Sequence, residues 1–281
     1  MTVAMVLSGG ANLGSAQVGM MQAVAASGVR PDLIIGSSVG AVNGAWLASG
    51  RDLAGLARIW RGLRRGDVFP VSPVSTALGF LGHADHLISN RRLRRLLEQN
   101  VTFGRLEDAE VPLHVIATDV LTGDDVKLST GPAVDAILAS SAIPGIFPPI
   151  HLGDRLLMDG GVVNNTPISH AAALGADTVW VLATGYHCAL REGPRSPLAL
   201  ALHAFNLATH DRLARDIDEY AETVDLRVVP PLCPLDLGLA DFSKGSELIE
   251  RARGHTEQWL QATSAGRNAV ADGSTVFAHD H

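Results

Sequence analysis

The chain has 281 residues, 47% of them hydrophobic and 18% charged, with 29 acidic against 22 basic side chains. That apolar fraction is enough for a sizeable core and excludes an intrinsically disordered chain. A formal charge of −7, with no block of five or six like charges, argues against nucleic acid as a partner.

Two cysteines, Cys188 and Cys233, make no disulfide framework, and no pattern has paired metal-ligand spacing, so neither a metal nor a cofactor is expected. The opening "MTVAMVLSGG" lacks a basic n-region and enters an apolar strand at once, and no run of 18 apolar residues occurs. A soluble, cytoplasmic protein is therefore expected.

Strands and helices alternate across glycine turns. Val3–Leu7 reads as a short buried strand, followed by "SGGANLGS" and a helix over Ala16–Ser27 that Gly28 stops. Leu33–Ile35 is the second strand and Val39–Ser49 a helix closed by Gly50, after which Asp52 caps another helix through about Arg65. Gly66–His86 mixes Pro and Gly with Phe and Leu, too irregularly for one element, and reads as a cover over a site. Arg91–Gln99 is a short basic helix. Its Arg91, Arg92, Arg94 and Arg95, with Arg61, Arg64 and Arg65, form either solvated helix faces or a contact for anionic lipid headgroups.

Further on, "LHVIATDV" and "DVKLST" around "LTGD" suggest a strand pair, and Ala133–Ser141 is helical until "IPGIFPPI" breaks it. "IHLGDRLLMDGG" looks like a hairpin turning at Gly153–Asp154. Thr166 and Pro167 read as N-cap and first residue of a helix through Leu174. "TVWVLAT" and "DLRVVP" are strands, Ser243–Ala262 is an amphipathic helix, and a frayed tail is expected from Ser264. The alternation predicts an α/β fold with a mostly parallel sheet, one domain over residues 1–263.

Gly36-Ser37-Ser38-Val39-Gly40 stands where the second strand hands over to its helix. A sharp turn there exposes a serine hydroxyl, and flanking glycines keep bulk away from an approaching carbonyl. Ser38 is the centre of the pattern and Ser37 its neighbouring alternative. A serine needs a base within hydrogen-bond reach. His170, His203, His210 and His255 follow in the chain order of an α/β-hydrolase, yet none sits in a marked turn. Asp159, at the end of an apolar strand before Gly160 and Gly161, is the other candidate. In a poorly solvated pocket its pKa would rise and it could take the proton without a histidine. The loop Gly9-Gly10-Ala11-Asn12 before Gly14 departs from a dinucleotide fingerprint, because Ala11 holds the second glycine position and Asp32 precedes its strand. An oxyanion site fits better, with amides such as those of Gly10 and Ala11 facing developing negative charge.

Together "VLSGGANLGSAQVGMMQAV", "IIGSSVGAVNGAWLASG", "ASSAIPGIFPPI", "LLMDGGVVNNTPI" and, weakly, "ADFSKGSELIERA" resemble the patatin-like phospholipase family, in the family's order. The resemblance implies a three-layer α/β/α fold and a Ser-Asp dyad that cleaves acyl esters of lipids. On this sequence it makes Ser38 the nucleophile, Asp159 the base and the Gly9–Gly14 loop (Gly9, Gly10, Ala11, Asn12) the oxyanion hole, with no metal. The family usually has a third glycine where this chain has Ala11, and an Arg or Lys at Leu13. A lipid or acyl-ester substrate is implied, with transient contact to a membrane surface as a further expectation and the oligomeric state open. Acyl transfer from the same acyl-enzyme, or lipid binding with weak turnover, are the alternatives.

Overall fold

The computed structural model describes residues 1–70, 81, 85–184, 193, 197–232 and 240–265. Most of the expected cover over residues 66–86, both cysteines (Cys188 and Cys233) and the tail beyond residue 265 lie outside the described residues. The strands are β1 (Val3–Leu7), β2 (Leu33–Ser37), β3 (Leu113–Asp119), β4 (Asp125–Leu128), β5 (Ile150–Leu152), β6 (Arg155–Asp159), β7 (Thr178–Leu182) and β8 (Asp225–Val229). They form one sheet in the order β5-β6-β3-β2-β1-β7-β8, with β4 paired to β3 off that path. The pairs β3–β2, β2–β1, β1–β7 and β7–β8 are parallel, while β3–β4, β3–β6 and β5–β6 are antiparallel.

Both faces of the sheet are covered, and β1 shows why its sequence is apolar throughout. Met5 and Leu7 enter the main core cluster, while Ala4 and Val6 enter a second cluster on the opposite face. The main cluster is built with α1 (Gly14–Ala26), α2 (Val39–Ala48), α3 (Leu53–Gly62), α5 (Arg91–Asn100), α6 (Ala133–Ser140) and α10 (Gly245–Ala265). The short α4 (Arg65–Val68) leads into the segment outside the described residues. After the short α7 (Gly161–Asn164), the second cluster takes Ile168 and Ala171 from α8 (Ile168–Ala173) and Leu213 and Ile217 from α9 (Pro197–Tyr220). The result is a three-layer α/β/α fold with a mostly parallel central sheet. Among the described residues no helix is long and apolar enough to cross a membrane.

Three local expectations need correction. Helix α1 starts at Gly14, two residues before Ala16, because a 3₁₀ turn over Ala11–Leu13 already winds the chain. Pro167 is the N-cap of α8 rather than its first residue, and Thr166 makes no cap to it. The sequence reading left out α9. Its first half places Leu198, Leu200 and Leu202 at every second position, a strand-like period, and Leu200 and Leu207 stay exposed instead of completing a helical stripe.

The register around β3 sets the geometry of the site. Val115 and Ile116 pair with Gly36 and Ser37 of β2 and also with Leu128 and Lys127 of β4, which uses both edges. Ala117 and Thr118 pair with Val126 and Asp125 of β4 and with Asp159 and Met158 of β6. A strand has two edges, so β6 continues along the edge that β2 leaves. Because β6 runs antiparallel to β3 and β2 runs parallel, their carboxyl ends meet head to head.

Candidate active site

Ser38 follows β2 with φ 52° and ψ −124°, a positive-φ backbone that costs a non-glycine residue about 1–3 kcal/mol and that surrounding contacts must hold. Its carbonyl accepts from Ala41 N–H and Val42 N–H, which starts α2. The tightness of the turn explains the glycines: a Cβ on Gly40 would lie 2.0 Å from the Leu7 carbonyl oxygen, and one on Gly36 would lie 2.6 Å from the Gly40 backbone. Ser37, by contrast, is a strand residue with no exposure.

The Ser38 hydroxyl donates to Asp159 Oδ2 at 2.7 Å, and Gly161 N–H donates to Asp159 Oδ1 at 2.8 Å. Burial pushes the Asp159 carboxyl up from the ordinary 3.8 to about 6, against the opposing pull of those two hydrogen bonds. Asp159 is 4% exposed and Ser38 7%, so the pair is recessed rather than displayed at the surface. A Cβ on Gly160 would sit 2.2 Å from the Ile116 carbonyl oxygen, so only glycine lets the chain turn there against β3.

The "ASSA" stretch at the end of α6 holds both halves of the pair, a role the sequence reading missed. Ser140 Oγ accepts from Ser38 N–H at 2.8 Å and donates to the Ile116 carbonyl at 2.5 Å. The carbonyls of Ala142 and Ser140 accept from Asp159 N–H and Gly160 N–H. The bond from Ser38 N–H to Ser140 joins positions 102 residues apart, and no local pattern signals it. The histidines stand elsewhere: His170 lies 3.0 Å from Asp125, while His203 and His210 fall on α9 and His255 on α10.

The glycine-rich loop passes beside the serine, since a Cβ on Gly9 would approach Ser38 Cβ to 3.0 Å. Gly9 itself needs correction as a donor: its N–H is engaged by the Asn165 carbonyl at 3.1 Å. Among the described residues, the N–H groups of Gly10 and Ala11 meet no acceptor. Ala11 takes φ +50°, the left-handed conformation for which glycine is better suited. The Asn12 side chain donates to the Asp241 carbonyl at 2.7 Å, and Gly14 opens α1 against Val39 and Trp60. Leu13 packs against the main core.

Ser38 and Ala11 border a cavity lined almost entirely by apolar side chains. Val39, Val42 and Trp46 line it from one stripe of α2, and Leu93, Leu96 and Leu97 from the apolar face of α5. Phe69, at the start of the expected cover, stacks on Phe147 with ring centroids 5.2 Å apart, and both face the cavity. Of the basic clusters, Arg61 pairs with Glu250 and Arg94 with Asp135, each at 2.6 Å. Arg92 and Arg95 line an adjoining depression that shares Ile59, Leu63, Leu96 and Asn100 with the cavity.

The molecule is thus an α/β protein in which a serine elbow and an Asp-Gly-Gly turn meet along one edge of β3 in a covered, mostly parallel sheet. The family model described as patatin-like phospholipase matches residues 5–172, and the chain belongs to that family. Patatin-like phospholipase domain-containing protein 7 of Rattus norvegicus is 30% identical over 196 residues, 65% of this chain and 14% of that protein. An uncharacterized NTE family protein of Mycobacterium bovis is 34% identical over 176 residues, 62% of this chain and 47% of its own length. The chain thus spans less than half of these curated relatives. Among solved structures, VipD from Legionella pneumophila aligns with a TM-score of 0.48 at 15% identity, over 93% of this chain and 67% of VipD.

Proposed function

We propose that the protein is a serine acyl hydrolase acting on lipid or other apolar acyl esters through Ser38 and Asp159. The observation that carries this reading is the 2.7 Å hydrogen bond to a buried carboxylate from the hydroxyl of Ser38, which lines an apolar cavity. A carboxyl held near 6 is ionised at neutral pH yet basic enough to accept a proton in the transition state. In this reading Ser38 Oγ forms a bond to the ester carbonyl carbon as its proton passes to Asp159 Oδ2. The carbonyl π electrons move onto oxygen, and the oxyanion faces the Gly10 and Ala11 N–H groups. Collapse breaks the bond to the leaving alcohol, which takes the proton from Asp159. Water then repeats the sequence on the acyl-serine and releases the acid.

The apolar cavity suits an acyl chain, and the Arg92 and Arg95 depression at its border suits the anionic surface of a membrane. The deciding experiment combines acid release from a panel of p-nitrophenyl esters and phospholipids with labelling by a fluorophosphonate. Wild type should release acid and be labelled once, at Ser38, and Ser38→Ala should lose both while staying folded. Labelling that persists in the alanine variant would move the nucleophile elsewhere. Labelling without acid release would favour acyl transfer or binding over hydrolysis.

A further inference from the structure

We infer that Thr184 is a positioning residue that aims one oxyanion donor, the Gly10 N–H, at the reacting carbonyl through the peptide it shares with Gly9; this rests on the hydrolase reading above. Thr184 lies just past the end of β7, fully buried, beside the loop that follows β1. Its hydroxyl donates to the Gly9 carbonyl at 2.5 Å. Two weaker donors converge on the same oxygen, Ser8 Oγ at 3.2 Å and Asn165 Nδ2 at 3.4 Å. Thr184 is itself fixed, because its own N–H donates to Ser8 Oγ at 2.8 Å.

The consequence follows from peptide geometry. In a planar trans peptide the C=O and the next N–H point in opposite directions. Drawing the Gly9 carbonyl toward Thr184 therefore turns the Gly10 N–H to the opposite side of the loop. Gly10 has no side chain to resist this, and none could be accommodated, since a Cβ there would lie 2.0 Å from Thr184 Oγ1. From below, the buried Gln17 amide donates to the Ser8 and Leu182 carbonyls at 3.2 and 2.9 Å, which stops the Ser8 end of the loop from following the peptide. The Gly9 N–H is engaged by Asn165, so the Gly9–Gly10 peptide contributes its donor through Gly10 alone.

Removing the Thr184 hydroxyl should let this peptide rotate and weaken binding only where negative charge develops on the substrate oxygen. The test compares wild type, Thr184→Val and Thr184→Ser in fluorophosphonate labelling of Ser38, ester hydrolysis, and affinity for two inhibitors. A trifluoromethyl ketone that adds to Ser38 needs the oxyanion donors, whereas the matching unreactive ether fills the cavity without them. In Thr184→Val, labelling, kcat and trifluoromethyl ketone affinity should each fall by roughly tenfold or more, short of the ~10²–10³ that deletion of a donor costs. KM and ether affinity should stay within about twofold, because uniform binding is untouched. Thr184→Ser should restore wild-type values. If Thr184→Val proves too unstable, Thr184→Ala carries the same expectation. Equal losses toward ketone and ether, no loss at all, or failure of Thr184→Ser to rescue would each overturn the inference. Wild type that is never labelled at Ser38 would overturn the hydrolase reading itself, and this inference with it.

Discussion

Asp159→Asn should make the protein more stable at neutral and alkaline pH while removing its activity. The carboxyl is almost fully buried and its pKa stands at about 6 instead of 3.8, so the folded protein holds this proton more tightly than the unfolded chain. The group therefore favours folding below pH 3.8, and that advantage is lost as the pH climbs through 6. Above 6 the folded state carries a buried charge at a cost, from a shift of about two units at ~1.4 kcal/mol each, of roughly 3 kcal/mol. Asparagine keeps the shape and never charges. Its carbonyl oxygen can accept from Gly161 N–H as Oδ1 does now, and its NH₂ can donate to Ser38 Oγ, which turns from donor to acceptor. Most of the ~3 kcal/mol should be recovered, a rise in Tm of roughly 5–10 °C at pH 8. Thermal melts of wild type and variant at pH 8, 6, 5 and 4 measure it. The gap should be full at pH 8, shrink between 6 and 4, and vanish below. A variant less stable than wild type at pH 8, or a gap independent of pH, would refute the buried-carboxylate account of this site.

Two further outcomes are expected of the same site. If Asp159 is the base, kcat/KM for a neutral ester should fall about tenfold per pH unit below an acid limb near 6, as the proton occupies the carboxylate; a rate flat down to pH 5 would exclude a base of that pKa. Val42 lies one turn along α2 from Ser38 and lines the cavity. Val42→Trp should therefore cut kcat/KM for a long-chain ester by about tenfold or more while leaving a butyrate ester within roughly twofold, a contrast that a steady-state chain-length series reads directly.

What the sequence made legible was local in origin. Val3–Leu7 matches β1 because a five-residue apolar run between a short N-terminus and a glycine loop has few other uses. The elbow was readable because Gly36 and Gly40 must be small where α2 packs on β1 and β2, and the Asp52 cap because its carboxylate reaches the Gly55 N–H three residues on. The Gly153 turn was readable because glycine takes the positive φ of 59° there without strain. The pairing of Ser38 with Asp159 was available as a resemblance, but its cause was not. It depends on β6 taking over the β3 edge that β2 leaves, a register no single segment encodes. Ser140, Asn165 and Thr184 escaped notice because each acts on backbone 100 residues or more away. Gly9 was misjudged because a glycine-rich loop does not declare which of its amides are already engaged.

The departures at Ala11 and Leu13 take on a definite meaning in this setting. In the proposed mechanism the donors offered to an oxyanion are backbone N–H groups, which neither side chain can delete. What a side chain can change is whether the loop holds their direction. Ala11 holds φ +50° although that conformation costs an alanine about 1–2 kcal/mol, so the loop must be fixed by its surroundings and not by the preference of its own residues. Those surroundings are identifiable: Thr184, Ser8 and Asn165 on the Gly9 carbonyl, Gln17 beneath Ser8, and Asn12 tied to the Asp241 carbonyl. Leu13 adds packing against the main core, and its N–H closes the turn onto the Gly10 carbonyl at 3.0 Å. A loop anchored at this many points does not need a cation at position 13 to keep its shape. The absence of an arginine there removes positive potential near the site, not the geometry of the donors.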